Sequence, residues 1–176
     1  QWSDPPSYRT EDFAADLVGL MDRLGWERIL LVGHSMGGHN AMTFTAWYPE
    51  RVAAVVIVDS RPAVPPARLE QMRYRGHRPL RTYESAELAV ERFRLLPRET
   101  TAPASLLEHL ARAGIVERDG TWVYRFDPAT NGNRVPVDAW PLLPKISCPA
   151  LIVRGELSPV LTRETAQDIV ERIPGA

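Results

Sequence analysis

Three short runs of this chain are apolar at every position: residues 29–32 (Ile-Leu-Leu-Val), 53–58 (Ala-Ala-Val-Val-Ile-Val) and 150–153 (Ala-Leu-Ile-Val). They stop at Gly33, Asp59 and Arg154. A strand with one wet face alternates polar and apolar residues, whereas an unbroken apolar run is expected of a strand covered on both faces, as in parallel sheets. Between and around these runs the period changes to that of helices. Phe13, Leu17, Leu20, Met21 and Leu24 share one face of a predicted helix over 10–25, with Thr10 as its N-cap and Gly25 as its stop. A second helix is predicted over 37–48 and ends at Pro49. A third, over 162–176, gathers Ala166, Ile169, Val170 and Ile173. Strands alternating with helices predict an α/β fold, a mostly parallel sheet with helices on both faces.

The long segment between the second and third apolar runs has a different character and holds many of the 16 prolines. Residues 85–96 and 104–114 read as helices, and 121–126 alternate, placing Trp122, Tyr124 and Phe126 on one side of a short strand. The expected organisation is an α/β core of residues 1–60 and 147–176, with 61–146 inserted as a helical cap. Trp47, Trp122 and Trp140 read as packing residues, since buried aromatic area is mostly structural.

Charge and cysteine usage remove several classes of function. The chain has 21 basic and 22 acidic residues, a net charge of -1, so neither a nucleic-acid partner nor an anionic membrane surface is expected. Arg68, Arg73, Arg75, Arg78 and Arg81 form the densest basic group and read as a solvated face, with an anion site as the alternative. Cys148 is the one cysteine. It permits no internal disulfide and no metal-ligand pair, and fits a buried, inert thiol in a reducing, cytoplasmic setting. No apolar run nears the roughly 20 residues of a membrane span. The N-terminus lacks the features of a signal peptide and does not begin with Met, so the chain is expected to be a piece of something longer.

The first apolar run leads directly into Gly33-His34-Ser35-Met36-Gly37, a G-x-S-x-G pattern between a predicted strand and a predicted helix. A chain that reverses from strand to helix in so few residues holds the serine in a strained conformation with its Oγ projecting from the turn. Glycines two before and two after are expected to remove side chains that would collide across it. The helix that follows aims its N-terminal N–H groups and the positive end of its dipole at the same place. Ser35 is therefore the candidate nucleophile, and the Met36 backbone N–H the candidate donor to an oxyanion. The lack of G-x-x-x-x-G-K-[ST] disfavours a phosphate-binding loop. Met36 and Met42 flank the turn and read as core or as pocket lining.

The stretch from Leu30 to Ser60 resembles the nucleophile region of the α/β-hydrolase superfamily. Residues 148–158 resemble a later strand of that fold, and the inserted segment is similar to the helical cap of small bacterial esterase-like members. The resemblance implies a Ser–His–acid triad. The family's aspartate commonly follows the later strand, but that slot is Ser158 here, and Glu156 is displaced from it by two positions. Some members carry the acid after the strand that follows the nucleophile helix, where Asp59 stands. Parallel strands bring their carboxyl ends to one edge, so Asp59 is preferred, with Glu156 as the alternative.

The resemblance places the base, a histidine, beyond the helix that ends this chain, and the second oxyanion donor ahead of Gln1. Both are expected outside these residues. His34, His39, His77 and His109 do not occupy that chain position. His34 is expected to point away from Ser35, and His39 to be a local polar position or a pocket residue.

These features imply a serine hydrolase acting on small or medium carboxylic esters, with no cofactor and no metal. A C–C bond hydrolase, lactonase or haloperoxidase-like activity is the alternative within enzymes. A non-catalytic binding module or an inactive fragment is the alternative outside them. The serine at the elbow argues against the dehalogenase and epoxide-hydrolase branches, which carry aspartate there.

Overall fold

The computed structural model describes residues 4–95, 100–174 and 176. Its elements, in chain order, begin with β1 (Tyr8–Arg9), α1 (Thr10–Leu24), β2 (Ile29–His34), α2 (Met36–Trp47) and β3 (Val52–Val58). The inserted region follows with α3 (Pro66–Gly76), α4 (Ala86–Glu91), α5 (Ala104–Ala113), β4 (Ile115–Arg118), β5 (Thr121–Tyr124), α6 (Ala129–Gly132) and β6 (Arg134–Val135). The 3-10 segment Trp140–Lys145, β7 (Ala150–Val153) and α7 (Arg163–Arg172) complete the described fold.

The three apolar runs form one parallel sheet in the order β2-β3-β7. Register assigns the faces. Leu31 pairs with Val55, which pairs with Ala150, and Gly33 with Ile57, which pairs with Ile152. This face packs against α1, α2, α7 and the 3-10 segment in one cluster containing Met21, Met42, Phe44, Leu143 and Ile169. The other face carries Leu30, Val32, Leu151 and Val153, and among the described residues no helix covers it: Leu30 is 76% and Val32 66% exposed. The expectation of helices on both faces is therefore met on one. An unbroken apolar run states that both faces avoid water, not which described element covers them.

The helix ends differ in detail from the sequence reading. Thr10 is the first residue of α1 rather than its cap, and Arg9 occupies the cap position. Thr10 is buried, and its Oγ1 instead accepts the Val137 N–H at 3.2 Å, tying α1 to the end of the insertion. The Asp12 carboxylate closes the helix start by accepting the Arg9 N–H at 2.9 Å. The reading of helix over 85–96 contracts to α4, capped by Ser85 Oγ accepting from Leu88 N–H at 3.1 Å. Its end at Leu96 lies outside the described residues, as do Gly175 of the last predicted helix and Gln1 to Ser3 of the N-terminal reading.

The inserted region is not purely helical. β4 and β5 form an antiparallel hairpin closed at Asp119 and Gly120, whose φ values of 50° and 74° suit the twist of a two-residue turn. Around it Tyr83, Ala89 and Ile115 bury a second, smaller cluster, with Trp122 and Tyr124 packed against it. The strand stops at Tyr124, so Phe126 does not share its face and is half exposed. Ala139, Leu143 and Ile146, at the far end of the insertion, pack instead in the core of the sheet. Trp47 and Trp140 pack against that same core.

Truncation distinguishes the two ends of the insertion. Leu143→Ala, in the sheet core, is expected to lower unfolding free energy by about 2–5 kcal/mol. Leu106→Ala, on the exposed side of α5, should change it by less than about 0.5 kcal/mol. Urea denaturation of the two variants checks the contrast.

Candidate active site

Ser35 stands between β2 and α2 with φ 54° and ψ -115°, a conformation unfavourable for a residue with a side chain. Neighbouring strands brace it. The Ser35 N–H donates to the Val58 carbonyl at 2.9 Å, and the next residue, Asp59, donates its N–H to the Val153 carbonyl at 2.7 Å. The carboxyl ends of all three strands are thus laced together at the turn.

The reason for glycine differs between positions. A Cβ on Gly33 would lie 2.2 Å from the Gly37 carbonyl oxygen and 2.7 Å from the Gly38 nitrogen. A Cβ on Gly38 would lie 2.6 Å from the Ser60 Cβ and 2.9 Å from the Gly33 oxygen. A Cβ on Gly37 would meet nothing within 4 Å. The expectation that Gly37 is required to avoid a clash of its own is therefore corrected. The close approach is between Gly33 and the backbone of residues 37–38, and Gly38, outside the pentapeptide, is the second tight position.

Ser35 opens into a cavity of about 310 Å³ lined also by Met36, His39, Ser60, Arg61, Arg68 and Arg134. Met36 is the first residue of α2, whose internal ladder begins with His39 N–H donating to the Ser35 carbonyl at 3.1 Å. The Met36 N–H precedes that ladder, among the N–H groups a helix start leaves without internal partners. Met42 is fully buried in the core and is not pocket lining.

Asp59 also has positive φ, 46°. One carboxylate oxygen, Oδ2, accepts from Ser158 Oγ–H at 2.7 Å, while Oδ1 is buried and has no partner among the described residues. Ser158 further accepts the Val160 N–H at 3.0 Å and the Leu161 N–H at 3.2 Å, so its hydroxyl is fixed by the loop after β7. The slot that sequence comparison reads as lacking a carboxylate thus holds a hydroxyl directed at Asp59. Glu156 is exposed, and its backbone carbonyl accepts from Arg154 Nη2 at 2.8 Å.

The histidines separate clearly. His34 shares the uncovered face of the sheet with Val58 and Val153, and His77 and His109 are exposed. His39 is buried and lines the cavity, with Nδ1 3.3 Å from the Arg61 carbonyl and Nε2 buried without a partner. Burial, first, and then the nearby Arg134 charge depress its pKa, outweighing the Arg61 and Val137 backbone groups and the Asp138 charge, so its neutral form is favoured. Its place four residues after Ser35, one turn along the same helix face, is the sequence signal for pocket lining. Arg61, Arg134 and Ser60 carry no such signal, because they reach the cavity from separate segments.

Burial likewise pushes the Cys148 thiol above its ordinary value. Among the described residues no group of three or more His, Cys, Asp or Glu side chains is gathered as a metal site. None of the described helices is long and apolar enough to cross a membrane.

The family model described as alpha/beta hydrolase fold matches residues 1–176. The 2-(acetamidomethylene)succinate hydrolase of Mesorhizobium japonicum is 31% identical over 165 residues, covering 91% of this chain and 59% of that protein. Esterase YbfF of Escherichia coli is 27% identical over 170 residues, covering 93% of this chain and 62% of its own length. Among solved structures, that of E-2-(acetamidomethylene)succinate hydrolase superposes with a TM-score of 0.79 at 26% identity, over 96% of this chain and 63% of the other. The chain therefore spans about three-fifths of the length of the curated relatives it matches.

Two measurements probe this geometry. Gly33→Ala should lose about 1–3 kcal/mol of stability or more, whereas Gly37→Ala should stay within about 1 kcal/mol of the wild type; urea unfolding of both variants decides. His39 binds a proton less readily folded than unfolded, where its pKa is about 6.5. Its contribution is therefore complete above that value and is lost as pH falls through and below it. Unfolding midpoints should drop between pH 7 and pH 5, and His39→Gln should flatten part of that slope.

Proposed function

Since this chain belongs to the α/β-hydrolase family, we propose that it is the nucleophile-bearing part of a serine hydrolase that cleaves small or medium carboxylic esters through an acyl-enzyme at Ser35. The carrying observation is the strained Ser35 at the head of α2, opening into a cavity while its backbone is bonded beside Asp59. The similarity to an esterase and to a hydrolase of an amide-bearing succinate supports hydrolysis as the reaction class.

In this reading Ser35 Oγ attacks the ester carbonyl carbon and its proton passes to an imidazole supplied beyond Ala176. The Met36 N–H donates to the oxyanion that forms. Collapse breaks the bond to the alcohol oxygen, which takes the proton from the imidazolium. Water, deprotonated by the same imidazole, then attacks the acyl carbon, freeing the carboxylic acid and Ser35. Asp59 is the acid that orients the imidazole and stabilises its charged form. Its support is the buried Oδ1, which has an acceptor lone pair and no donor, with Oδ2 held by Ser158. Exposed Glu156 has no comparable setting.

A fluorophosphonate probe tests the nucleophile in the full reading frame. Rapid labelling that Ser35→Ala abolishes is expected. A folded protein that takes no label would instead be a non-catalytic binding module. For the acid, Asp59→Asn should lower turnover of p-nitrophenyl acetate by about 10⁴-fold with its unfolding midpoint little changed. Full activity in that variant would remove Asp59 from the role.

A further inference from the structure

The cavity beside Ser35 is walled by arginines that form no ion pair among the described residues. Arg61, Arg68 and Arg134 line it, coming from the loop after β3, from α3 and from β6. Arg61 Nε donates to the Val160 carbonyl at 2.7 Å, and Nη2 donates to the same oxygen. Carbonyls satisfy its donors but not its charge. Arg134 is only 7% exposed. Among the described residues its guanidinium has no carboxylate partner, the ion pairs being Arg9–Glu11, Arg51–Asp22 and Arg112–Glu108. Arg73 brings a further cation to the same strand, donating from Nη2 to the Arg134 carbonyl at 3.0 Å. The nearby carboxylates make no ion pair with Arg134 among the described residues: Asp59 accepts from Ser158, and Asp138, whose charge acts on His39, accepts the Trp140 N–H at 3.0 Å.

An arginine that is nine-tenths buried without a carboxylate partner is costly for a fold to keep, and burial depresses its pKa. His39 adds a second incomplete group to the same wall. Its Nδ1 lies 3.3 Å from the Arg61 carbonyl, the Val137 backbone also acts on the ring, and among the described residues the buried Nε2 has no hydrogen-bond partner. A buried cation without a carboxylate partner and a buried imidazole nitrogen without a hydrogen-bond partner, both among the described residues, therefore meet at one cavity with Ser35.

We infer that this wall is a carboxylate subsite: the substrate is a small ester that also bears a free carboxylate, paired with Arg134. Planar guanidinium and carboxylate match in a two-pronged hydrogen-bonded pair, which a neutral ester cannot form. Exposed Arg68 on α3 adds attraction at long range, before contact. The cavity, about 310 Å³, is at the small end of the roughly 300–1,000 Å³ range of ligand pockets, which suits a short acid. The inference rests on Ser35 as nucleophile for the word ester, whereas the subsite itself is tested by binding alone.

Calorimetric titration of the Ser35→Ala chain with monomethyl succinate, dimethyl succinate and inorganic phosphate is the test. Monomethyl succinate is expected to bind at least about tenfold more tightly than the diester, with affinity falling as salt rises. Arg134→Gln should erase that preference while its circular dichroism is unchanged, and Arg134→Lys should restore part of it. If Arg134→Gln does not fold, Arg68→Gln decides, with a reduced charge preference expected. Equal binding of monoester and diester, an undiminished preference in folded Arg134→Gln, or in Arg68→Gln where that variant decides, or binding of phosphate in place of succinate would overturn the carboxylate assignment. Charge-selective binding by a protein that fluorophosphonate fails to label would keep the subsite and remove the hydrolase reading. Labelling without charge preference would do the reverse.

Discussion

The close approach of two backbones, Gly33 on the strand and residues 37–38 at the start of the helix, governs the rest of the molecule. With 2.2 Å between a would-be Cβ and the Gly37 oxygen, no side chain fits there. That contact lets the chain reverse within a few residues, and the reversal forces Ser35 to φ 54°. The strain is held by hydrogen bonds from neighbouring strands rather than by the turn itself. The helix then starts directly beneath the serine, and the remainder of α2 is buried against the sheet through Ala41, Met42, Phe44 and Ala46. Packing of the core and exposure of Ser35 are consequences of the same turn.

Local chemistry was legible in the sequence to the extent that one segment carried it. The apolar runs became β2, β3 and β7 because β-branched and aliphatic residues without alternation suit a parallel ladder. Ser35 and the onset of α2 were legible because strand, turn and helix are contiguous. The short parallel pair of β1 with β6 was not, since each strand has two residues and its partner is far along the chain. The same reason hid Thr10, whose hydroxyl looks like a cap and instead serves Val137. A single sequence reports local preference, and these contacts are made by topology.

The cavity shows that limit most directly. Arg61, Arg68 and Arg134 are unremarkable in sequence, and Arg68 belongs to a basic group that reads as a solvated face. Three separate segments bring them to one wall beside Ser35. Ser158 is a similar case. Read by position it is a carboxylate that is missing; read in space it is a hydroxyl that orients Asp59 across the gap between β7 and β3.

Strain and incomplete bonding coincide at one end of the sheet. Among the described residues the non-glycine positions with positive φ are Ser35, Asp59 and Asp119. Asp119 is accounted for by its hairpin turn, where that conformation is the favoured one. Ser35 is accounted for by the strand-to-helix reversal, and Asp59, which follows the adjacent strand, is linked to it through the Val58 carbonyl. Among the described residues the buried side-chain polar atoms without partners are His39 Nε2 and Asp59 Oδ1, one residue lining the cavity and the other following the strand beside Ser35. A fold optimised for stability alone would relax such backbones and pair such atoms, since an unpaired buried polar group typically costs about 1–3 kcal/mol. They are concentrated around Ser35, where neighbouring strands over-determine the backbone, while the core beneath is apolar.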